Sequence, residues 1–448
     1  MDCLSYLPEE LIDGVCEYIP DRDGLDDLRL CCKRLYSKTQ HEFDVRHFSV
    51  VQCMLTPGSL QKLIDLSRNE RVSRVIQEVR LFIVNFDEWA RCEVGQDIWD
   101  RWHIHTLRGA FSTTELDMMK SQVLGEQDKT TRKKIRRQQR RMHSRHMHEH
   151  NRLRNTSADV ELLAEALKNL PSLHTIHSAS KFHFSNPPLG ARQIFRDIGT
   201  WPRIGTSSRI GTIHSIYVVL GALLRSKVSI RSLGLWAQPG EDIEAVPNVP
   251  LSRRRQRNSV PRKTFTECQI VDLDLSQIRD LSFEIAGHFA FRPYSTVYAN
   301  PPSWFLVLAP RLPHLRSLNF DAEHSETMNA FLKMLASDEH IFPRLRSLRL
   351  VCLSSPNTYF GILLKRLAPT LQHLEIRDPL PRVAIQHQPW LPILTELPQI
   401  VSASCTFRRR LSINYNEVFI ESIKGDTPAE FQEILATHMR DTSEEYRA

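Results

Sequence analysis

The chain has 448 residues, 41% of them hydrophobic and 25% charged, with a formal net charge of +7. That length holds two or three average domains, or one small module beside a long repeat array, and the composition is that of a globular protein in water. A membrane-spanning class is not expected, because no apolar run approaches the ~20 residues that cross a bilayer.

The first residues, Met1-Asp2-Cys3-Leu4, lack the basic start of a secretory signal. Nine cysteines without a C-x-x-C pair read as buried free thiols, Cys31 and Cys32 among them. The expected location is therefore cytoplasmic, nuclear or both, with no membrane contact.

In chain order, Leu7-Pro8 opens the first expected helix. Pro8 suits a first turn, and Glu9 and Glu10 favour its positive end. Leu11, Ile12, Val15 and Ile19 recur at helical spacing, and Pro20 and Gly24 break the chain. A second helix starts near Leu25, with Leu28, Leu30, Cys31, Cys32 and Leu35 mostly inward and Lys33, Arg34 and Lys38 outward. About forty such residues bury too little surface to stand alone, so they need a partner or a neighbouring domain.

Leu7-Pro8-x-Glu10-Leu11, an apolar helix, a Pro/Asp turn, and Leu25-x-x-Leu28-Arg29-Leu30-x-Cys32-Lys33-Arg34-Leu35 together resemble an F-box. The resemblance covers residues 4–48, about a tenth of the chain. It departs from the family at Leu35, where an aromatic is often found, and at Gly24 in the turn. Membership would imply docking to a Skp-type adaptor and through it to a cullin ubiquitin ligase. The adaptor-binding residues it implies are Leu7, Pro8, Glu10, Leu11, Ile12, Leu25, Leu28 and Leu30. The last three complete either the interface or the motif's own core.

Positive charge is concentrated in one segment. Lys129 to Arg154 holds 11 Lys/Arg and one acid, 11 − 1 = +10, so the rest of the chain carries 7 − 10 = −3. The segment reads as a solvated, mobile insertion over residues 125–156, with nuclear import or phosphate binding as the other readings. It lacks the aromatics of a single-strand stacking surface, and a nucleic-acid partner is not the first expectation. His143, His146, His148 and His150 follow without Cys/His ligand spacing, so no metal is expected.

The body repeats apolar-x-x-apolar-x-apolar. Copies are Ile76 to Leu81, Ile230 to Leu235, Ile278 to Phe283, Leu315 to Phe320, Leu345 to Leu350 and Leu371 to Ile376, with a partial copy at Leu173–Ile176 and a weaker one at Leu411–Ile413. Four copies share a proline-bearing lead-in at Pro171, Pro313, Pro343 and Pro369, and helical stretches around Leu163, Leu332 and Leu363 lie between copies. The expected fold class is α/β: an N-terminal helical module at 4–48, then an irregular leucine-rich-repeat-like solenoid at 49–424 with parallel strands and outer helices. Loops are expected at 186–211 and 238–264, and a tail or cap helix at 425–448. This architecture resembles the leucine-rich-repeat substrate receptors of the F-box family, notably divergent fungal ones.

Residues flanking the core leucines of each strand would face away from the core. They are Arg80, His177, Trp236, Glu284, Asn319, Asp321, Arg349, Glu375 and Arg377, a set of mixed charge that suits a protein target. Trp236 reads equally as a contact hot spot or as a core residue. No phosphate loop, dinucleotide fingerprint, nucleophile elbow or zinc-protease motif occurs. The expectation is a non-catalytic receptor without cofactors, with a non-ubiquitinating interaction scaffold, or a nuclear nucleic-acid-associated protein using residues 129–154, as the rivals.

Overall fold

The computed structural model describes residues 2–19, 22–84, 86, 129–179, 187–198, 209–237, 272–285, 305, 308–322, 325–338, 340–351, 358–377, 402–410, 417–425, 430, 433–434 and 437. The expected loop 238–264 and the weak repeat Leu411–Ile413 lie outside them. The fold is α/β, and the chain divides into two compact units. The first is Met1–His177 with Lys181–Ile204 and Arg225–Val228; the second is Ser178–Ser180, Gly205–Leu224 and Ser229–Ala448.

The first unit opens with five short helices: α1 (Asp2–Ser5), α2 (Glu9–Glu17), α3 (Arg22–Cys31), α4 (Lys33–Lys38) and α5 (Gln40–Phe48). Pro8 precedes α2, and Glu9 and Glu10 occupy its first turn, as the helix dipole favours. The second expected helix is broken in two at Cys32, whose extended backbone lets its sulfur accept from the Leu35 amide at 3.5 Å. That break corrects the cysteine reading: Cys31 and Cys32 are exposed, while Cys16 and Cys53 are buried.

Ile12, Cys16, Leu25 and Leu35 form a small sealed core, with Leu7, Ile19, Leu28 and Phe43 packed against it. Cations lock the helices around this core. Arg29, only 6% exposed, stacks on Tyr36 and Phe43 at 4.2 and 3.9 Å and donates to Gln40 Oε1 at 3.0 Å. Arg46, on α5, donates to the carbonyls of Cys16 and Ile19 where α2 ends. Such contacts satisfy the orphan carbonyls of a helix C-terminus.

Strand β1 (Val50–Met54) pairs in parallel with β2 (Glu78–Phe82), and β3 (Thr175–Ala179) follows β2 in sheet order. Between them run α6 (Pro57–Arg68), α7 (Glu70–Ser73), α8 (Lys129–Thr156) and α9 (Ala158–Lys168). Leu60, Leu63 and Ile64 of α6 and Leu163, Ala164 and Leu167 of α9 are buried, and Arg68 pairs with Glu165 at 2.6 Å across the two helices.

Two segments differ from expectation here. The basic segment, read first as a solvated, mobile insertion and otherwise as an import signal or a phosphate-binding helix, is a 28-residue helix over Lys129–Thr156. The expected loop 186–211 contains α10 (Ala191–Ile198), which buries Ala191, Ile194, Phe195 and Ile198 at amphipathic spacing.

In the second unit, after α11 (Arg209–Ser226), strands β4 (Ser232–Ala237), β5 (Asp280–Ile285), β6 (Ser317–Ala322), β7 (Ser347–Val351), β8 (His373–Arg377) and β9 (Ser402–Arg410) pair in parallel, each with the next. The last strand, β10 (Glu417–Gly425), departs from the parallel expectation by pairing antiparallel with β9. Helices α12 (Ser325–Ser337) and α13 (Thr358–Leu367) connect β6 to β7 and β7 to β8.

The leucines of each copy are buried in register, Leu233 with Leu281, Leu318, Leu348 and Leu374. Phenylalanines fill the space behind them, with Phe320 stacked on Phe331 at 3.6 Å and Phe283 on Phe305 at 5.4 Å. Arg366 of α13 donates to the Leu335, Asp338 and Ile341 carbonyls, closing the end of α12 as Arg46 closes α2.

One turn geometry recurs at the strand starts. The carbonyl of the residue before a strand accepts from two successive amides of the next copy. In the first unit Ser49 accepts from Gln77 and Glu78, and Gln77 from His174 and Thr175. In the second, Arg231, Arg279, Arg316 and Arg346 each accept in the same way from the copy that follows.

Candidate functional site

The N-terminal helices present two kinds of leucine. Ile12, expected at an adaptor interface, and Leu25, expected there or in the motif's own core, are 0% exposed and have no surface to offer. They belong to the core on which α2, α3 and α4 pack. Leu7 and Leu28 are half-buried at the edge of that core, Pro8 and Glu10 are exposed, and Leu11 and Leu30 stand out at 55% and 82% exposure.

Four further apolar side chains, absent from the expected set, are exposed beside them: Leu4, Tyr6, Tyr18 and Tyr36. Eight large hydrophobic side chains are exposed among the described residues, and six of them lie between Leu4 and Tyr36. Tyr18 follows Leu11 by seven residues, two helical turns, so the pair shares one face of α2. That spacing was readable in the sequence. The Arg34 guanidinium lies 4.6 Å over the Tyr6 ring, and the Lys38 ammonium donates to the Leu7 carbonyl, which fixes the chain entering α2.

A second candidate surface is the polar face of the strands in the second unit. The register aligns Trp236 with Glu284 and Asp321, and Asn319 with Arg349 and Glu375; Arg377 lies opposite Val351. Glu284, Asn319, Asp321, Arg349, Glu375 and Arg377 are half-buried, as alternation along a strand requires. Trp236 is 1% exposed, so of its two readings the structure favours the core one.

Glu375 sits between two guanidinium groups, Arg377 Nε at 2.5 Å and Arg349 Nε at 3.4 Å. The second contact is close enough for charge attraction but is not aligned as a hydrogen bond. Asn319 donates to Ser282 Oγ at 3.0 Å. Three buried atoms on these strands have no hydrogen-bond partner: Trp236 Nε1, Asn319 Oδ1 and Arg349 Nε. Buried polar atoms are rarely left so, which makes this strip suited to a ligand that supplies both donors and acceptors.

Arg80 and His177 lie in the first unit with Glu78, which pairs with Arg80. His177 has its pKa lowered by burial, an effect that Glu78 opposes and Arg80 reinforces.

Helix α8 carries two opposed faces. On the inner one His143, His146 and His150 surround Phe86 with ring separations of 6.1, 6.1 and 5.5 Å. His143 Nε2 donates to the Phe86 carbonyl at 2.8 Å, His150 Nδ1 to the Leu55 carbonyl at 3.1 Å, and His146 Nε2 meets Asp197 at 2.8 Å. A carbonyl only accepts, so the contacting nitrogen carries the proton in the first two. His148, on the other side, is exposed, as are Lys133, Lys134, Arg137, Arg140, Arg141 and Arg145.

Among the described residues no three His, Cys, Asp or Glu side chains gather to hold a metal ion, and no helix is long and apolar enough to cross a membrane. Neither a scan against protein-family models nor a search of curated proteins returned a match.

Proposed function

We propose that this chain is the substrate-recognition subunit of a Skp/cullin/F-box type ubiquitin ligase. The N-terminal helices act as the F-box and dock the adaptor. The body, read as an irregular leucine-rich-repeat-like solenoid, holds a protein target. The chain itself is non-catalytic and needs no cofactor; it supplies proximity, and the ubiquitin chemistry belongs to other subunits. Its place of work is the cytoplasm, the nucleus or both.

The observation that supports this reading most is the clustering of exposed apolar side chains on α1 to α4 around a core that is already sealed. Exposed apolar surface of that density marks an interaction site, and helix-borne leucines and tyrosines are suited to a partner's groove. The recurrent strand-start turn supports the repeat reading, since the same double acceptance is made six times. The unsatisfied atoms on the second unit's strands support a target there.

Co-purification tests the reading. The intact chain should capture a Skp-type adaptor, and the Leu11→Glu/Leu30→Glu variant should lose it. A bound protein that accumulates when residues 4–48 are deleted marks a degradation target. A bound protein whose level does not change marks an interaction scaffold instead. A nucleic-acid role draws support from a single observation, the exposed basic face of α8; binding to duplex nucleic acid that weakens steeply with salt would favour it.

A further inference from the structure

We propose that Arg231, Arg279, Arg316 and Arg346 form a ladder that binds an acidic segment of a protein partner. The proposal gives a chemistry to the target assumed under the proposed function and rests on that reading.

The four arginines occupy the same place in four successive copies, immediately before β4, β5, β6 and β7. The Arg279 amide bonds the Arg231 carbonyl at 2.8 Å, the Arg316 amide bonds Arg279 at 2.7 Å, and the Arg346 amide bonds Arg316 at 2.7 Å. Shared backbone geometry sends the side chains off in one direction. Neighbouring strands lie about 4.8 Å apart, so the row is about 14 Å long.

The turn does not itself require arginine. Ser49 and Gln77 accept the same pair of amides in the first unit, and Gln372 donates in the same way after Arg346. Four consecutive arginines are therefore a chemical choice. All four are exposed, and none is held in an ion pair among the described residues. Like charges on adjacent strands repel. Asp280, the residue after Arg279, stands in register with Ser232 and Ser317, one position along the strands from the row, and feels Arg279 and Arg316. One exposed carboxyl beside four guanidinium groups leaves most of the row's charge uncompensated, and an anionic ligand would relieve the repulsion.

Charge and shape select the ligand. The adjoining strand face is mixed in sign, with Glu284, Asp321 and Glu375 beside Arg349 and Arg377, and Asp280 directly follows Arg279. A broad phosphate surface would meet those acids. No Phe, Tyr or Trp side chain is exposed on the described residues of this unit to stack against bases. An extended peptide advances about 3.3 Å per residue, so four or five residues match the row, and acidic side chains along it would each reach a guanidinium.

The test uses the purified full chain and a fluorescein-labelled pentaglutamate peptide, read by anisotropy at low salt. Binding is expected, and Arg279→Gln/Arg316→Gln should weaken it about ten-fold. The same change at Arg140 and Arg141 on α8 should leave it unaltered. Both pairs are exposed, and an unchanged melting temperature confirms that the variants fold. Equal affinity in the ladder variant, no binding at all, or tighter capture of duplex DNA through the same arginines would overturn the proposal. Adaptor capture is measured on the same samples. Its loss with peptide binding intact sinks the ligase reading and leaves the ladder standing; the reverse removes the ladder alone.

Discussion

Leu11 and Ile12 are neighbours in α2 with opposite surroundings: Ile12 is sealed in the core with Cys16, Leu25 and Leu35, while Leu11 is 55% exposed. The pair allows the proposed docking to be tested apart from folding. Leu11→Glu should abolish adaptor capture and leave the melting temperature within about a degree, because an exposed substitution costs little. Ile12→Ala should destabilise the helical module by about 2–5 kcal/mol, from lost burial plus the cavity left behind. Urea melts followed by circular dichroism, run beside adaptor pull-downs, read both outcomes.

Arg46 joins α5 to the end of α2, and its approach is fixed by Glu42 at 2.6 Å. Arg46→Met keeps the apolar stem and removes the donors to Cys16 and Ile19. Hydrogen bonds from a charged group are worth roughly 1.5–3 kcal/mol each way they are counted, so a loss of about 2 kcal/mol is expected. Arg46→Lys should recover part of it, since an ammonium restores the charge without the planar fork. The shift in urea midpoint between the two variants is the measurement.

The strands were legible because a period of two survives in any leucine-rich copy: Leu233, Leu281, Leu318, Leu348 and Leu374 were placed in register by sequence alone. Exposure on the N-terminal helices was legible in part. Leu30, read from helical spacing as mostly inward, is 82% exposed, because the helix that carries it ends at Cys31, and helical spacing cannot tell which of Leu11 and Ile12 turns inward until α3 and α4 are in place. The break at Cys32 was hidden because the run from Leu25 to Lys38 has no glycine or proline. Helix α10 was masked by the prolines and glycines around it, although Ala191, Ile194, Phe195 and Ile198 carry its signature. For α8 a helix is the less favoured reading for another reason. Its buried seam is made of histidines, with Leu153 at one end, and a seam of polar rings leaves no apolar stripe to find.

The buried thiols predict a difference in reactivity and a pH limit. Cys31 and Cys32 are exposed and should react with a thiol reagent in the native protein, while Cys16 and Cys53 should wait for unfolding. Burial pushes the Cys53 thiol up to about 12, above its ordinary 9.0. A folded-state pKa raised above the unfolded one gives stability that is complete below about pH 9 and is lost as the pH climbs towards 12. The alkaline limb of a stability profile should therefore steepen above pH 9, and Cys53→Val, which cannot ionise, should flatten it. An unchanged limb would place the alkaline loss elsewhere.

Helix α8 should respond oppositely on its two faces. Lys133, Arg137, Arg141 and Arg145 succeed one another at four-residue intervals on the exposed side, and like charges so spaced oppose the helix by about 0.2–0.5 kcal/mol per pair. Glu149 offsets only the last of them, through Arg145 at 2.9 Å. Arg137→Glu turns two repulsions into attractions and should raise the helix's stability by about 1 kcal/mol. On the inner side His143→Ala leaves the Phe86 carbonyl buried without its donor and opens space beside the ring, at a cost of about 1–3 kcal/mol. Hydrogen exchange along Lys129–Thr156 reads the two effects separately: slower exchange in Arg137→Glu, faster in His143→Ala. The contrast matters because the basic segment's composition alone describes a chain that should not hold together. If His143→Ala left protection unchanged, the imidazole seam would not be what ties this helix to the fold.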